Sequence, residues 1–305
     1  MSINIAINSF FSKEVYCVKK FRDPSIILLL IIIITLLNTD IDKAFPLSIK
    51  DIIKSGEPIN ILLLGIDARP DEVNARSDTI ILVSINHNIN KAVLVWIPRD
   101  TRISSPNKSQ KINMVNQLQG PNASCQEVEK LLGTTVDYYI LTNFSGFERA
   151  IDILGGVYMD VDINLSSPSS NVYLTKGYKC LSGKEALKYA RYRGKTDGDI
   201  GRTQRQQNLL RALIKQILQK DTIAKIPDLI PAVQENVQTN ISASNMLYLA
   251  NLILKIDDSN IVTQTLPGYS YIDSYSGASY WEVDRQISLS ILDSLFHGHQ
   301  FEVNL

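Results

Sequence analysis

Four short segments set charged residues against the ends of apolar runs. They are Gly65-Ile66-Asp67-Ala68-Arg69, Arg76-Ser77-Asp78-Thr79, Pro98-Arg99-Asp100-Thr101-Arg102, and residues 190–207, ARYRGKTDGDIGRTQRQQ. A guanidinium grips phosphate oxygens through two parallel hydrogen bonds and stays charged when desolvated, so these arginines suit a phosphate-bearing ligand. Arg202, Arg205 and Gln206 are spaced i, i+3, i+4, which predicts one helical face carrying all three, offset from the leucine stripe that follows. Asp199 can cap that helix or bond an arginine, and free N–H groups at the helix start would further attract an anion. Arg191 and Arg193 lie just upstream, past the end of a helix carrying Tyr189. Taken alone, the segment reads first as a solvated, mixed-charge helix face, with an anion site as the alternative.

Asp67 and Asp78 are the natural metal ligands. Both abut strand ends, and carboxylates without neighbouring thiolates or paired histidines suit magnesium or manganese better than zinc. Capping or turn duty accounts for the two aspartates equally well. His87, His297 and His299 look peripheral, and there is no Gly-x-Ser-x-Gly elbow, Walker loop or dinucleotide fingerprint. Asn113 and Asn116 in KINMVNQ read as surface turn residues, with ligand contact as the alternative.

The elements that must hold these residues follow from patterning. Residues 59–64, 80–85 and 92–97 are compact apolar runs, as expected of strands covered on both faces, and NHNINK between the last two suits a hairpin turn. Residues 125–132 read as a helix stopped by Gly133, 137–141 as a strand, and 143–154 as a helix capped by Asn143 and ended by Gly155-Gly156. A strand at 157–161, helices at 183–190, 202–218, 244–256 and 284–295, and a strand at 260–266 complete the reading. The fold class is therefore mixed α/β, a central β-sheet flanked by helices. With 305 residues, 31 basic and 31 acidic, the chain has no global basic field for nucleic acid, so an anion site must come from local clustering.

Residues 26–37, IILLLIIIITLL, form an uncharged run preceded by Lys13, Lys19, Lys20 and Arg22 and closely followed only by Lys43. That asymmetry predicts a signal anchor with the N-terminus inside: 1–24 a short cytoplasmic tail, 25–41 the transmembrane helix, 42–58 a linker with Gly56 and Pro58, and 59–305 one extracytoplasmic domain. A buried strand or a cleaved signal peptide is the alternative. Outside the cytoplasm, Cys125 and Cys180 could pair or remain buried thiols.

Taken together, the segments resemble the LytR–CpsA–Psr family. The resemblance runs in order through G-x-D-x-R at 65–69, RSDT at 76–79, IPRDT at 97–101, KIN at 111–113, DYYILTNFSGFERAIDILGGV at 137–157 and LSGKEALKYARYRGKTDGDIGRTQRQQ at 181–207, within about 59–220. Residues after KIN, QLQGPNASC, depart from the family's small, glycine-rich pattern there. The resemblance implies a magnesium-dependent (manganese as a substitute) phosphotransferase that moves a glycopolymer from a polyprenyl-pyrophosphate carrier in the membrane lipid to a peptidoglycan sugar hydroxyl, with a hydrophobic tunnel for the lipid tail. It further implies metal- and pyrophosphate-site roles for Asp67 and Asp78. Pyrophosphate contacts would come from Arg69, Arg99, Arg191, Arg193, Arg202, Arg205 and Gln206, with Arg99, Asp78 and Asp100 at the reacting centre and Arg76 in a matching motif. An older label for the family, cell envelope-related transcriptional attenuator, gives the alternative of a non-catalytic polyprenyl-phosphate-binding regulator. The N-terminal tail is too short for a helix-turn-helix domain, which argues against a nucleic-acid partner.

Overall fold

The three apolar runs become neighbouring strands. In a computed structural model, which describes residues 49–67, 75–105, 108–167, 172–192, 198–217, 237–253 and 255–297, they are β1 (Ile59–Ile66), β2 (Ser77–Asn86) and β3 (Lys91–Trp96). With β6 (Tyr138–Asn143), β11 (Val237–Thr239) and β12 (Ile261–Thr265) they form a six-stranded sheet ordered β11-β6-β1-β2-β3-β12. Strands β1, β3, β6 and β12 point one way, and β2 and β11 the other. The expected anchor at 25–41, Arg69 and Arg193 lie outside the described residues.

Both sheet faces are covered, which is why β1 to β3 read as near-continuous apolar runs. On one face Leu62, Leu64, Ile80, Leu82, Val93 and Val95 pack against α2 (Asn113–Gln119), α3 (Pro121–Leu132) and α8 (Arg285–His297). On the other, Ile61, Ile81, Ile85 and Leu94 meet α1 (Ile49–Ser55), α6 (Gly198–Ile217) and α7 (Ala243–Ile253). A smaller core joins α4 (Phe144–Ile153), α5 (Gly183–Arg191) and α6 to the ladder of β7 (Val157–Val161) and β10 (Gly177–Leu181). Each fully buried Leu or Ile contributes roughly 1.5–3 kcal/mol. An exposed pair such as Lys130–Glu127 contributes below about 1 kcal/mol, so the apolar faces hold the sheet.

Among the described residues three small hairpins decorate this frame: β4 (Arg102–Ser105) with β5 (Lys108–Lys111), β8 (Leu165–Ser167) with β9 (Val172–Leu174), and β13 (Gly268–Ile272) with β14 (Ser279–Val283). None is evident from hydropathy. Local signals elsewhere act as expected. Gly133 ends α3 at φ 66°, and the Asn143 side chain accepts from Gly146 N at 2.8 Å to start α4. The stretch expected to be linker contains α1, because Ile49 and Ile52 find a core to enter. Asp199 lies within the first turn of α6 rather than before it. Asn113 and Asn116 are buried in α2, not in a surface turn, and Asn116 Nδ2 donates to Ala75 O at 2.8 Å.

Cys125 and Cys180 are both free thiols. Cys125 packs beside the core under α3, where burial and then the Glu129 carboxylate push its pKa up to about 12. The thiolate is the reactive form. At about pH 8, iodoacetamide should therefore modify exposed Cys180 within minutes and leave Cys125 intact until the chain unfolds, as peptide mass spectrometry would show.

Candidate functional site

The charged segments converge at the end of the sheet where β1, β3 and β6 finish and β2 begins, the crevice in which open α/β sheets bind ligands. Asp67 directly follows β1. Asp78 owes its position to a β-bulge: Gly65 pairs with Thr79 and Ile66 with Ser77, leaving Asp78 as the extra residue. A Cβ on Gly65 would lie 3.1 Å from Thr79 Cβ, so a glycine lets the strands close beneath the bulge.

Arg99 and Asp100 leave the end of β3 on a turn in which Thr101 N and Oγ1 both donate to Pro98 O, at 2.9 and 2.6 Å. The turn is tied down on every side. Asn113 N donates to Arg99 O (3.2 Å), Ile112 N to Thr101 O (2.9 Å) and Trp281 N to Asp100 O (2.9 Å). From this rigid base Arg99 Nη1 donates to Asp78 Oδ1 at 3.0 Å, Arg99 Nε lies 3.7 Å from Asp100 Oδ2, and Lys111 Nζ reaches Asp100 Oδ1 at 2.7 Å. All four side chains are partly exposed, so each ion pair is worth no more than about 1 kcal/mol. A phosphate could exchange for a carboxylate here at small cost.

The second wall comes from α4 to α6. Ser182 and Glu185 form a reciprocal capping box at the start of α5. Gly183 lets that start lie on α4, since a Cβ there would fall 2.1 Å from Glu148 O. The far end of α5 then carries Arg191 to the crevice, where its Nη2 is 3.8 Å from Asp67 Oδ2 and its guanidinium lies 4.1 Å over the Phe144 ring. Beneath it, Tyr189 is fully buried and donates to Asp162 Oδ1 at 2.7 Å; burial first, then that hydrogen bond, holds its proton well above the usual range.

The helical face expected to present three side chains together is divided. Gln206 lines the cavity described below, with Nε2 3.5 Å from Ala190 O. Arg205 turns inward: it is 1% exposed, donates from Nη2 to Tyr192 O at 2.9 Å, and stacks 5.3 Å over the Tyr192 ring. Arg202 sits half-buried one turn earlier on α6. Arg76 Nε donates to Gln117 Oε1 at 3.3 Å.

Between these walls lies a cavity of about 240 Å³. Leu63, Ile81 and Ile140 of the sheet form one side, Phe144 and Phe147 of α4 another, and Leu209, Leu210 and Leu213 of α6 the third, with Arg191, Gln206 and Asn143 among the polar groups that line it. An apolar slot with a cationic group in its wall suits an amphiphile bearing an anionic head. Sequence reasoning passed over Lys111, although the KIN motif contained it, because a single lysine in a short polar strand carries no local sign of an ion pair. Among the described residues no three His, Cys, Asp or Glu side chains gather as a ready metal cage.

Known proteins resemble this chain in sequence and in fold. The chain is 38% identical over 197 residues to the polyisoprenyl-teichoic acid–peptidoglycan teichoic acid transferase TagU of Bacillus cereus, a match spanning 64% of this chain and 64% of that relative's length. It is 31% identical over 275 residues to the TagU of Oceanobacillus iheyensis, covering 87% of this chain and 83% of the relative. Among solved structures, TagT bound to LI-WTA superposes with a TM-score of 0.63 at 29% identity, over 79% of this chain and 89% of that one. The LytR_cpsA_psr family model matches residues 37–296, and the chain belongs to that family.

Proposed function

We propose that this protein is a cell-envelope transferase that moves a phosphate-linked glycopolymer from a polyprenyl pyrophosphate to a sugar hydroxyl of peptidoglycan, with residues 25–41 as its membrane anchor. The observation that carries the reading is an apolar slot whose lining includes Arg191 and Gln206, in a fold that sets the Arg99 cluster at the same sheet end. The transferases it is similar to are named for polyisoprenyl-teichoic acid and peptidoglycan, which supports the reading.

In this mechanism the prenyl tail lies along Leu209, Leu210 and Leu213, and the pyrophosphate meets Arg99, Arg191 and Gln206, with Arg69, Arg193 and Arg202 as further contacts. The acceptor hydroxyl attacks the glycan-proximal phosphorus. A new O–P bond forms, the bridging P–O bond breaks, and polyprenyl phosphate leaves with the electron pair. Asp78 or Asp100, the carboxylates sharing Arg99, takes the hydroxyl proton. Arg99 and Arg191 neutralise charge on the transferred and leaving phosphates without moving, because the turn and the helix end that carry them are already tied down. Asp67 and Asp78 leave adjacent strand ends as oxygen donors and fit magnesium, which uses one or two carboxylates plus substrate phosphates. When bound, the ion would add positive charge at the pyrophosphate oxygens.

The test is turnover of a long-chain prenyl-pyrophosphate glycan by the full chain in detergent, with uncross-linked peptidoglycan as acceptor and release of prenyl phosphate as readout. Leu210→Arg puts a charge into the slot wall. It should slow the long-chain donor about tenfold or more, a cost of about 1.4 kcal/mol, while a water-soluble short-chain donor keeps its rate. Equal losses with both donors would remove the slot from the mechanism.

A further inference from the structure

The hairpin of β13 and β14 stands beside the reacting end, and the transfer as derived makes no use of it. Its register sets Tyr269 opposite Glu282 and Tyr271 opposite Tyr280, so these four side chains share one face. Tyr269 is 59% and Tyr271 36% exposed. Arg102 lies against this face, with its guanidinium carbon 5.6 Å from the Tyr271 ring and 5.5 Å from that of Tyr280, and Nη1 3.5 Å from Glu282 Oε2. Lys111, the register partner of Arg102, lies 5.7 Å over Tyr280 and 2.7 Å from Asp100. A continuous row therefore runs from Tyr269 and Tyr271 through Arg102, Tyr280 and Lys111 to Asp100 and Arg99.

The row is fixed in place. Trp281 N donates to Asp100 O at 2.9 Å and Trp281 Nε1 to Leu266 O at 3.2 Å. A Cβ on Gly268 would stand 2.6 Å from Trp281 Nε1, so a glycine permits that packing. Pyranose rings carry a C–H face and a rim of hydroxyls. The negative face of a tyrosine ring attracts the former, and Arg102, Glu282 and Lys111 can hydrogen-bond the latter. A bilayer fits less well, since Glu282 on the same face would oppose anionic headgroups.

We propose that this row is the acceptor subsite. A glycan strand lies with sugar faces on Tyr269 and Tyr271, meets Arg102 and Lys111 with hydroxyl and carboxylate groups, and presents its next hydroxyl at Asp100 and Arg99. The proposal rests on the transferase reading above and adds the place of the second substrate.

The experiment measures transfer by the full chain in detergent, varying peptidoglycan oligosaccharide at fixed prenyl-pyrophosphate donor, and then the reverse. Loss of both rings in Tyr269→Ala/Tyr271→Ala should raise the acceptor KM about tenfold, leaving the donor KM and the rate at saturating acceptor unchanged. The paired Tyr→Phe changes should restore the acceptor KM, since stacking needs the ring and not the hydroxyl. An unchanged acceptor KM, or equal rises in both KM values, overturns the subsite while the transferase reading stands. Absence of any transfer by the wild-type chain sinks both. The chain has two tryptophans, and Trp96 is buried in the sheet. In vesicles of brominated phosphatidylglycerol, quenching of the remaining Trp281 would put the hairpin in the bilayer and overturn the proposal; full emission supports it.

Discussion

Arg99→Ala should lower glycopolymer transfer by on the order of a thousandfold while leaving the thermal midpoint within about 2–4 °C of wild type. The two halves of that expectation have separate causes. Arg99 is partly exposed and its pairs with Asp78 and Asp100 span 3.0 and 3.7 Å, so its contribution to stability is small. Its contribution to the reaction is large in the proposed mechanism, because charge developing on the phosphates needs a donor that is already oriented. The carbonyls of Arg99 and Asp100 accept from Asn113 N of α2 and Trp281 N of β14, which holds the guanidinium at the mouth of the crevice before substrate arrives. Arg99→Lys keeps the charge without the planar fork and should recover only part of the loss. Turnover of Arg99→Ala within tenfold of wild type would sink the assignment of this cluster to the pyrophosphate.

Arg205→Ala should behave in the opposite way, with loss of stability first. Truncation removes a charge-assisted hydrogen bond to Tyr192 O and leaves a void beneath α5 and α6, for a cost of about 3 kcal/mol. In a domain of this size that corresponds to a fall of roughly 10 °C in thermal midpoint. Arg205→Lys should not rescue it, since one ammonium cannot both reach Tyr192 O and stack on the Tyr192 ring. Donor KM, measured well below the new midpoint, should shift little. A normal midpoint with a large rise in donor KM would instead make Arg205 a ligand contact.

How far local pattern reaches is clear from particular elements. The apolar runs of β1 to β3, the stop at Gly133 and the cap at Asn143 were legible, because each depends on residues within a few positions of one another. The hairpins β4–β5, β8–β9 and β13–β14 were not. They are short, and they gain their order from partners far along the chain, as Trp281 does from Asp100 and Leu266. Helix α1 was hidden for the same reason, since seven residues form a stable helix only against a core.

The candidate site divides along the same line. Residue type and position relative to strand ends picked out Asp67, Asp78, Arg99 and Asp100, and the structure places all four at one sheet end. Helical spacing put Arg205 and Gln206 on a common face. It could not tell which would meet the cavity, because that depends on where α5 and its Tyr192 carbonyl cross α6. Cys125 and Cys180 were an open pair by sequence and are free thiols in the fold, one beside the main core and one on β10.

The order of residues by itself determined that this chain would build a covered mixed sheet with arginines and aspartates at its strand ends, since apolar periodicity and chain punctuation act over short distances. Only the tertiary structure decided that Asp78 would bulge toward Arg99, that Arg205 would turn inward, and that a tyrosine-faced hairpin would lead to Asp100. Those outcomes depend on contacts between residues that are neighbours in space alone.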